Sequence, residues 1–439
     1  MTNEISRRTA LALGASSFAA SAFAPAASFA QRIAPPSTAP VSITYYNYNL
    51  ASAGIGAEAT KELIAEFTAA QPNVKVEGVP VASGQILARV QADLVAGRTP
   101  DVAQLVFSDL DFVVRNLGVK PMTDIVPPEE WAAHTAGMVP AGLKLGAIGD
   151  KVYGLAYVFS TPVLFYNATL FKQAGLDPDA PPANWAQVKA AALKLRAATG
   201  KNGFYPSVYS EFDWLLQGLF LSNGGRALSE DRRRVTFGEP GAVGAVEMLR
   251  DLVASGAHAR IAETESGDAF MSGNLGMILT TSVYQRAFLN AAKDKFELRA
   301  AKMPGFGDKP AQPTNSGSAL FILAKDPAKQ RAAWELVKHM TSKRGYTVIT
   351  SKIGYLPLRL DIVDDPQYLG NWVRENPMVR PNLEQLARLN QWVAFPGSNY
   401  RQISRIEVAA VNEAAFGEGD VAKIMREAQD RAQALMPRA

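Results

Sequence analysis

Apolar residues along the first quarter of the chain follow two alternating rhythms. Residues 41–48 and 74–81 are short runs rich in β-branched and aromatic side chains, the signature of strands. Residues 58–69, with Leu63, Ile64 and Phe67, and residues 86–95 carry apolar positions at helical spacing. Gln71-Pro72-Asn73 and Gly97 punctuate them, and a further apolar run, 102–107, follows Thr99-Pro100-Asp101. Strand, helix, strand, helix, strand predicts an α/β domain built on a parallel, doubly wound sheet. Ligands of such sheets gather outside the carboxyl ends of the strands. That rule points to Tyr45, Asn47 and Tyr48, to Ser83 and Gln85, and to Ser108 and Asp109.

The same grammar continues downstream. Residues 162–166 are almost wholly apolar, as in a strand buried on both faces. Asn167 is placed to cap a helix over 168–174, with Gly175 as its left-handed stop and Pro178 beyond. Asn184 is placed to cap another, in which Trp185, Val188, Ala192 and Leu195 share a face and Gly200 ends the run. Further helices are predicted over 212–225, 242–254, 326–340, 403–415 and 421–435, and a strand over 319–324 after Ser316-Gly317-Ser318.

Length adds a constraint. A chain of 439 residues exceeds what one core usually supports, so two domains are expected. Gly and Pro are spread throughout, which suits a chain crossing repeatedly between two lobes. Ser6-Arg7-Arg8-Thr9, an apolar small-residue stretch over 10–23 and Ser28-Phe29-Ala30 read as a twin-arginine export signal over 1–30. A Pro-rich tether, 31–40, follows, and no later stretch reaches the ~18 apolar residues of a membrane span. The absence of cysteine excludes disulfides, lipid anchoring through Cys, thiolate catalysis and Cys-ligated metals.

The formal net charge of +4 is small for this length, and Arg232-Arg233-Arg234, the one tight basic run, reads as a solvated turn. Neither supports a nucleic-acid partner. His134, His258 and His339 are scattered and read as packing or solvated residues. Gly54-Ile55-Gly56-Ala57-Glu58-Ala59, with Glu77 about twenty residues on, is the rival signal. It would make the chain an exported nicotinamide-dependent oxidoreductase using Gly54 and Gly56. A Tyr-rich preceding strand and a long loop from Asn49 to Ala53 speak against it. No G-x-S-x-G supports a serine hydrolase. Glu211 and Asp213 offer paired acids, whose separation in space the sequence does not show.

Ser160-Thr161-Pro162-Val163-Leu164, then Tyr166-Asn167, Ala174-Gly175-Leu176-Asp177-Pro178, and Pro181-Pro182 before Trp185 resemble the extracellular solute-binding proteins of ABC importers. The likeness is greatest to the branch that includes glycerol-3-phosphate-binding proteins. Phe270, Gly273 and Met277, and Gly354-Tyr355-Leu356-Pro357, resemble further turns of that family. The resemblance implies two lobes, each a mainly parallel sheet flanked by helices, joined by a three-segment hinge. Lobe one would take 41–159 and 299–325; lobe two would take 160–298 and, with the C-terminal helices, 326–439.

It further implies a periplasmic monomer that is no enzyme and needs no cofactor. Such a protein carries a small carbohydrate, polyol or glycerol-phosphate-type solute to a membrane permease driven by an ATPase. Ser160 and Tyr355 become site candidates by motif position, joined by Asp213, Trp214, Gly317, Ser318, Asn399 and Tyr400. Aromatic faces beside Asn, Asp, Ser and Tyr groups suit polyol recognition. Arg401 and Arg405 match the branch's phosphate-holding arginine only approximately, so a neutral sugar or polyol fits as well as a phosphorylated glycerol.

Overall fold

The computed structural model describes residues 32–437, apart from Ser37, Ala53, Gly54 and Glu211. The export signal assigned to 1–30 lies outside these residues. Two large sheets carry the fold. The first has strand order β2-β1-β3-β9-β4, from β1 (Val41–Asn47), β2 (Val74–Pro80), β3 (Val102–Val106), β4 (Gly154–Ser160) and β9 (Ser316–Ile322). The second has order β8-β5-β7-β6, from β5 (Pro162–Asn167), β6 (Asn202–Pro206), β7 (Leu275–Thr281) and β8 (Leu298–Lys302).

Each sheet is parallel save for one reversed strand. In the first, β9 runs antiparallel to both β3 and β4; in the second, β5 runs antiparallel to both β8 and β7. Both reversed strands are the ones that enter from the other lobe. A strand arriving from the cleft starts at the carboxyl edge of its neighbours, so it must run against them. Only Thr161 separates β4 from β5, and every residue of both strands is buried.

Local signals set the helices much as their sequence predicts. Asn167 Oδ1 accepts from the Leu170 N–H at 3.0 Å and Asn184 Oδ1 from that of Gln187 at 3.0 Å. Gly200, at φ 69°, stops the helix Trp185–Thr199, whose Trp185, Val188, Ala192 and Leu195 are all buried. Asp326 caps Pro327–Met340 through the N–H groups of Ala328 and Lys329, with Pro at a position where its missing N–H costs nothing.

Three boundaries differ from expectation. Pro327–Met340 packs on β1 and β9, and the Arg359 guanidinium donates to the Ala136 carbonyl at 2.7 Å. Residues 327–359 therefore belong to the first lobe. Periodicity shows that a helix has an apolar face, but not which sheet it covers. β8 pairs with β5, so the return to the first lobe begins after Lys302 and not at 299. Ile33, in the supposed tether, is buried at 4% and donates its N–H to the Ile125 carbonyl.

Candidate functional site

β3 ends at Val106, and a tight turn, Phe107–Asp109, passes directly into α1 (Leu110–Asn116). This carries Ser108 and Asp109 off the carboxyl edge of the first sheet, with Ser83 and Gly84 beside them after β2. From the second lobe come Phe212 and Asp213, just before α2 (Trp214–Ser222), and the first turn of α3 (Tyr400–Phe416). Together they enclose a cavity of about 200 Å³ between the lobes. Trp392, Arg401, Ser404 and Arg405 complete its lining.

Asp109 is the chemical centre of this cleft. It is fully buried, yet one oxygen, Oδ2, has no hydrogen-bond partner among the described residues. Its Oδ1 accepts from Arg401 Nη2 at 3.0 Å and from the Tyr400 hydroxyl. Burial pushes the Asp109 carboxyl up from the ordinary range, opposed by the Arg401 charge and the Tyr400 bond. Leaving a buried acceptor unmade costs ~1–3 kcal/mol. Oδ2 is thus left with an unmet acceptor position.

Asp213, also buried, accepts from Trp392 Nε1 at 2.9 Å and from Gln217 Nε2 at 2.7 Å. Behind it lies Glu407, fully buried, with neither oxygen partnered by a donor among the described residues. Burial raises its pKa well above the ordinary value, and the charge of Asp213 raises it further. Both causes favour the neutral form of Glu407. Phe212, 42% exposed, meets Trp392 edge to face at 6.1 Å and offers an apolar wall.

Of the residues singled out from sequence, the cleft unites Ser83, Ser108, Asp109, Asp213, Tyr400, Arg401 and Arg405. The others lie elsewhere. Tyr45 and Asn47 are buried and bonded to each other, and the Tyr48 hydroxyl donates to Ser318 Oγ at 3.0 Å, where Gln104 Nε2 also donates at 2.9 Å. These groups close the carboxyl edge of the first sheet upon itself. Tyr355 stands half-buried beside Tyr48. Ser160 is buried at the lobe crossing, where its hydroxyl accepts from Thr281 at 2.7 Å, and Gln385 Nε2 donates to Thr161 Oγ1 at 2.8 Å. The crossing is therefore pinned by side chains of the second lobe.

Trp214 is buried in the core of its lobe, Asn399 donates to the Leu435 carbonyl, and Gln85 is exposed at a helix start. Gly317 is needed for its backbone: at φ 115°, an added Cβ would stand 2.1 Å from the Val158 carbonyl oxygen. There β9 presses against β4, where their register shifts. Trp392 was not foreseen. Its only sequence signal is the aromatic cluster of Trp392 and Phe395 before Pro396-Gly397.

The rival and bland readings also meet the structure. Gly56 lies inside the helix Ile55–Ala70, and Gly54 outside the described residues. His134 packs on Trp334 and contacts Thr341 Oγ1 at 2.8 Å; His258 contacts the Tyr209 hydroxyl at 3.1 Å. Arg232 departs from the solvated turn expected of its run: its side chain is 25% exposed and reaches Asp111 across the lobes.

The family model for bacterial extracellular solute-binding proteins matches residues 62–377. The sn-glycerol-3-phosphate-binding periplasmic protein UgpB of Yersinia pestis is 25% identical over 308 residues, 66% of this chain and 69% of that protein. Two solved structures share the fold. The cyclic alpha-maltosyl-1,6-maltose binding protein from Arthrobacter globiformis has a TM-score of 0.78 at 23% identity, covering 90% of this chain and 98% of that one. UgpB from Mycobacterium tuberculosis, in complex with glycerophosphocholine, has a TM-score of 0.76 at 22% identity, with the same shares covered. With two sheets meeting at a shared cleft and a family match across most of its length, the chain belongs to the bacterial extracellular solute-binding proteins.

Proposed function

We propose that this protein is the periplasmic binding component of an ABC importer. It is exported by the twin-arginine route, works as a monomer and passes its solute unchanged to a membrane permease. The solute is a small carbohydrate, polyol or glycerophosphate-type molecule. One observation carries the reading: the unpartnered Oδ2 of buried Asp109, on the floor of a cavity between two hinged lobes. A solute hydroxyl supplies the missing donor.

The placement of charge refines the class. Asp109 and Asp213 lie deep, while Arg401 and Arg405 are exposed at the rim. A hydroxylated portion then sits on the carboxylates, with its C–H surface against Phe212. A phosphate ester, where the solute has one, lies toward the rim guanidinium groups. The likeness to glycerol-3-phosphate-binding and maltosyl-maltose-binding proteins supports both arms of this class.

The test is a thermal-shift screen of neutral sugars, polyols, glycerol 3-phosphate and glycerophosphodiesters on protein lacking residues 1–30. A true solute at a hundred times its Kd stabilises the fold by about 2.7 kcal/mol and is recovered unaltered. No melting shift with any member of these classes overturns the proposal.

A further inference from the structure

The second lobe grips the first at a place that does not line the solute cavity. Arg232 lies in a tight turn where its N–H donates to the Ser229 carbonyl at 2.9 Å. The turn is tied to the C-terminal helix Val421–Gln433 through the Val235 N–H and Gln433 Oε1 at 2.7 Å. Arg232 holds φ 59°, one of two non-glycine residues with positive φ among those described. L-residues with a Cβ occupy that region at a cost, and such positions mark places where structure is over-determined.

From this turn the guanidinium crosses to the first lobe. Nη2 donates to Asp111 Oδ1 at 3.1 Å and to the Ala394 carbonyl at 2.9 Å. Asp111, on α1 two residues beyond Asp109, is 1% exposed. Its Oδ2 accepts from the Gly397 N–H at 3.1 Å and from Arg115 of its own helix at 2.8 Å. Arg234 of the same run keeps to the surface beside Glu239, with 66% of its side chain exposed.

We infer that Arg232 and Asp111 form an interlobe latch: positioning residues that set how far the closed form is favoured, and so the solute affinity, without touching solute. Arg115 stays with Asp111 when the lobes part. The Arg232 contact exists only when they meet, so it contributes to the closed form alone. A binding-competent state populated only in part weakens apparent affinity by that fraction. The affinity consequence rests on the solute-binding reading; the closure itself does not.

The experiment separates the two. The chain has no cysteine, so Val95→Cys in the first lobe and Glu427→Cys in the second place a dye pair at exposed sites. Arg232→Asn removes the cation while keeping a residue that tolerates the left-handed turn, and Asp111→Asn removes the other partner. Single-molecule energy transfer on solute-free protein is expected to show a larger open population in each variant. The double variant should be no more open than Asp111→Asn alone, which also alters the acceptor that the Gly397 N–H meets. A solute found in the screen should bind each single variant about tenfold more weakly, through faster release.

Open populations and Kd within twofold of the parent for both variants overturn the latch. So does a fall in melting temperature with an unchanged interlobe distribution, which would make the pair merely structural. If no solute binds the parent but Arg232→Asn still opens the lobes, the latch stands and the binding reading falls.

Discussion

Asp109→Asn separates recognition from scaffolding in this cleft. The substitution keeps the shape, and an amide oxygen can still accept from Tyr400 and Arg401 where Oδ1 does now. Asp109 is buried while half of the Arg401 side chain is exposed, and exchanging a charged for a neutral acceptor weakens the pair by ~1–1.5 kcal/mol. Relief of a buried charge offsets part of that loss, so the unfolding free energy should change by no more than ~1 kcal/mol. The solute faces a different balance. The unpartnered Oδ2 becomes an amide donor or loses its charge, and a hydrogen bond to a charged group is worth ~1.5–3 kcal/mol. At 1.4 kcal/mol per factor of ten, affinity should fall roughly 10- to 150-fold. Isothermal titration calorimetry with a solute from the screen measures this, alongside urea unfolding of the empty protein. Affinity within twofold of the parent at unchanged stability would refute the role given to Asp109. A loss of several kcal/mol of stability would show the residue to be scaffold.

Other consequences are open to simpler tests. Glu407 has a raised folded pKa, so the folded chain retains a proton that the unfolded chain releases above about pH 4.3. Stability therefore falls as pH rises from there, and Glu407→Gln should gain ~1–3 kcal/mol at pH 7 by urea unfolding, with little gain near pH 4. His134 and His258 act in the opposite direction: burial lowers their pKa values to about 3 and about 4. Below about pH 6.5 the unfolded chain takes up protons that the folded chain refuses, costing up to ~1.4 kcal/mol per pH unit per histidine. Unfolding free energies at pH 7.5 and 5 should show this loss, and a His134→Gln, His258→Gln variant should show a smaller one, with the share of buried His339 remaining. Gly317→Ala, which drives a Cβ into the Val158 carbonyl, should cost ~3 kcal/mol or more, read as a lowered urea midpoint. A change below ~1 kcal/mol would mean that β9 and β4 part without strain.

How far the site could be read in advance depended on the kind of residue. Asp109 was legible because a strand's carboxyl end is recognisable from the turn after Val102–Val106, and α/β sheets bind there. Tyr45, Asn47 and Tyr48 satisfied the same rule but do not line this cavity, because neighbouring polar groups turn them inward: Asn47 meets Tyr45, and Ser318 and Gln104 meet Tyr48. Ser160 and Tyr355 were chosen by likeness of motif. The first is spent on pinning a crossing to Thr281, and the second stands beside Tyr48.

Helix ends and the α/β alternation were written in the chain itself, since caps, glycine stops and apolar periodicity act within a few residues. Asn167, Asn184, Asp326 and Gly200 each do locally what their types dictate. The cleft is another matter. Asp109 meets Tyr400 and Arg401, and Asp111 meets Arg232, more than a hundred residues away along the chain. Such pairs depend on how two sheets are hung on Thr161 and its companion crossings, which no local propensity encodes. Tertiary structure alone decided that Arg232 is a latch and its neighbour Arg234 surface, because only the meeting of the lobes places a buried carboxylate within reach of one of them.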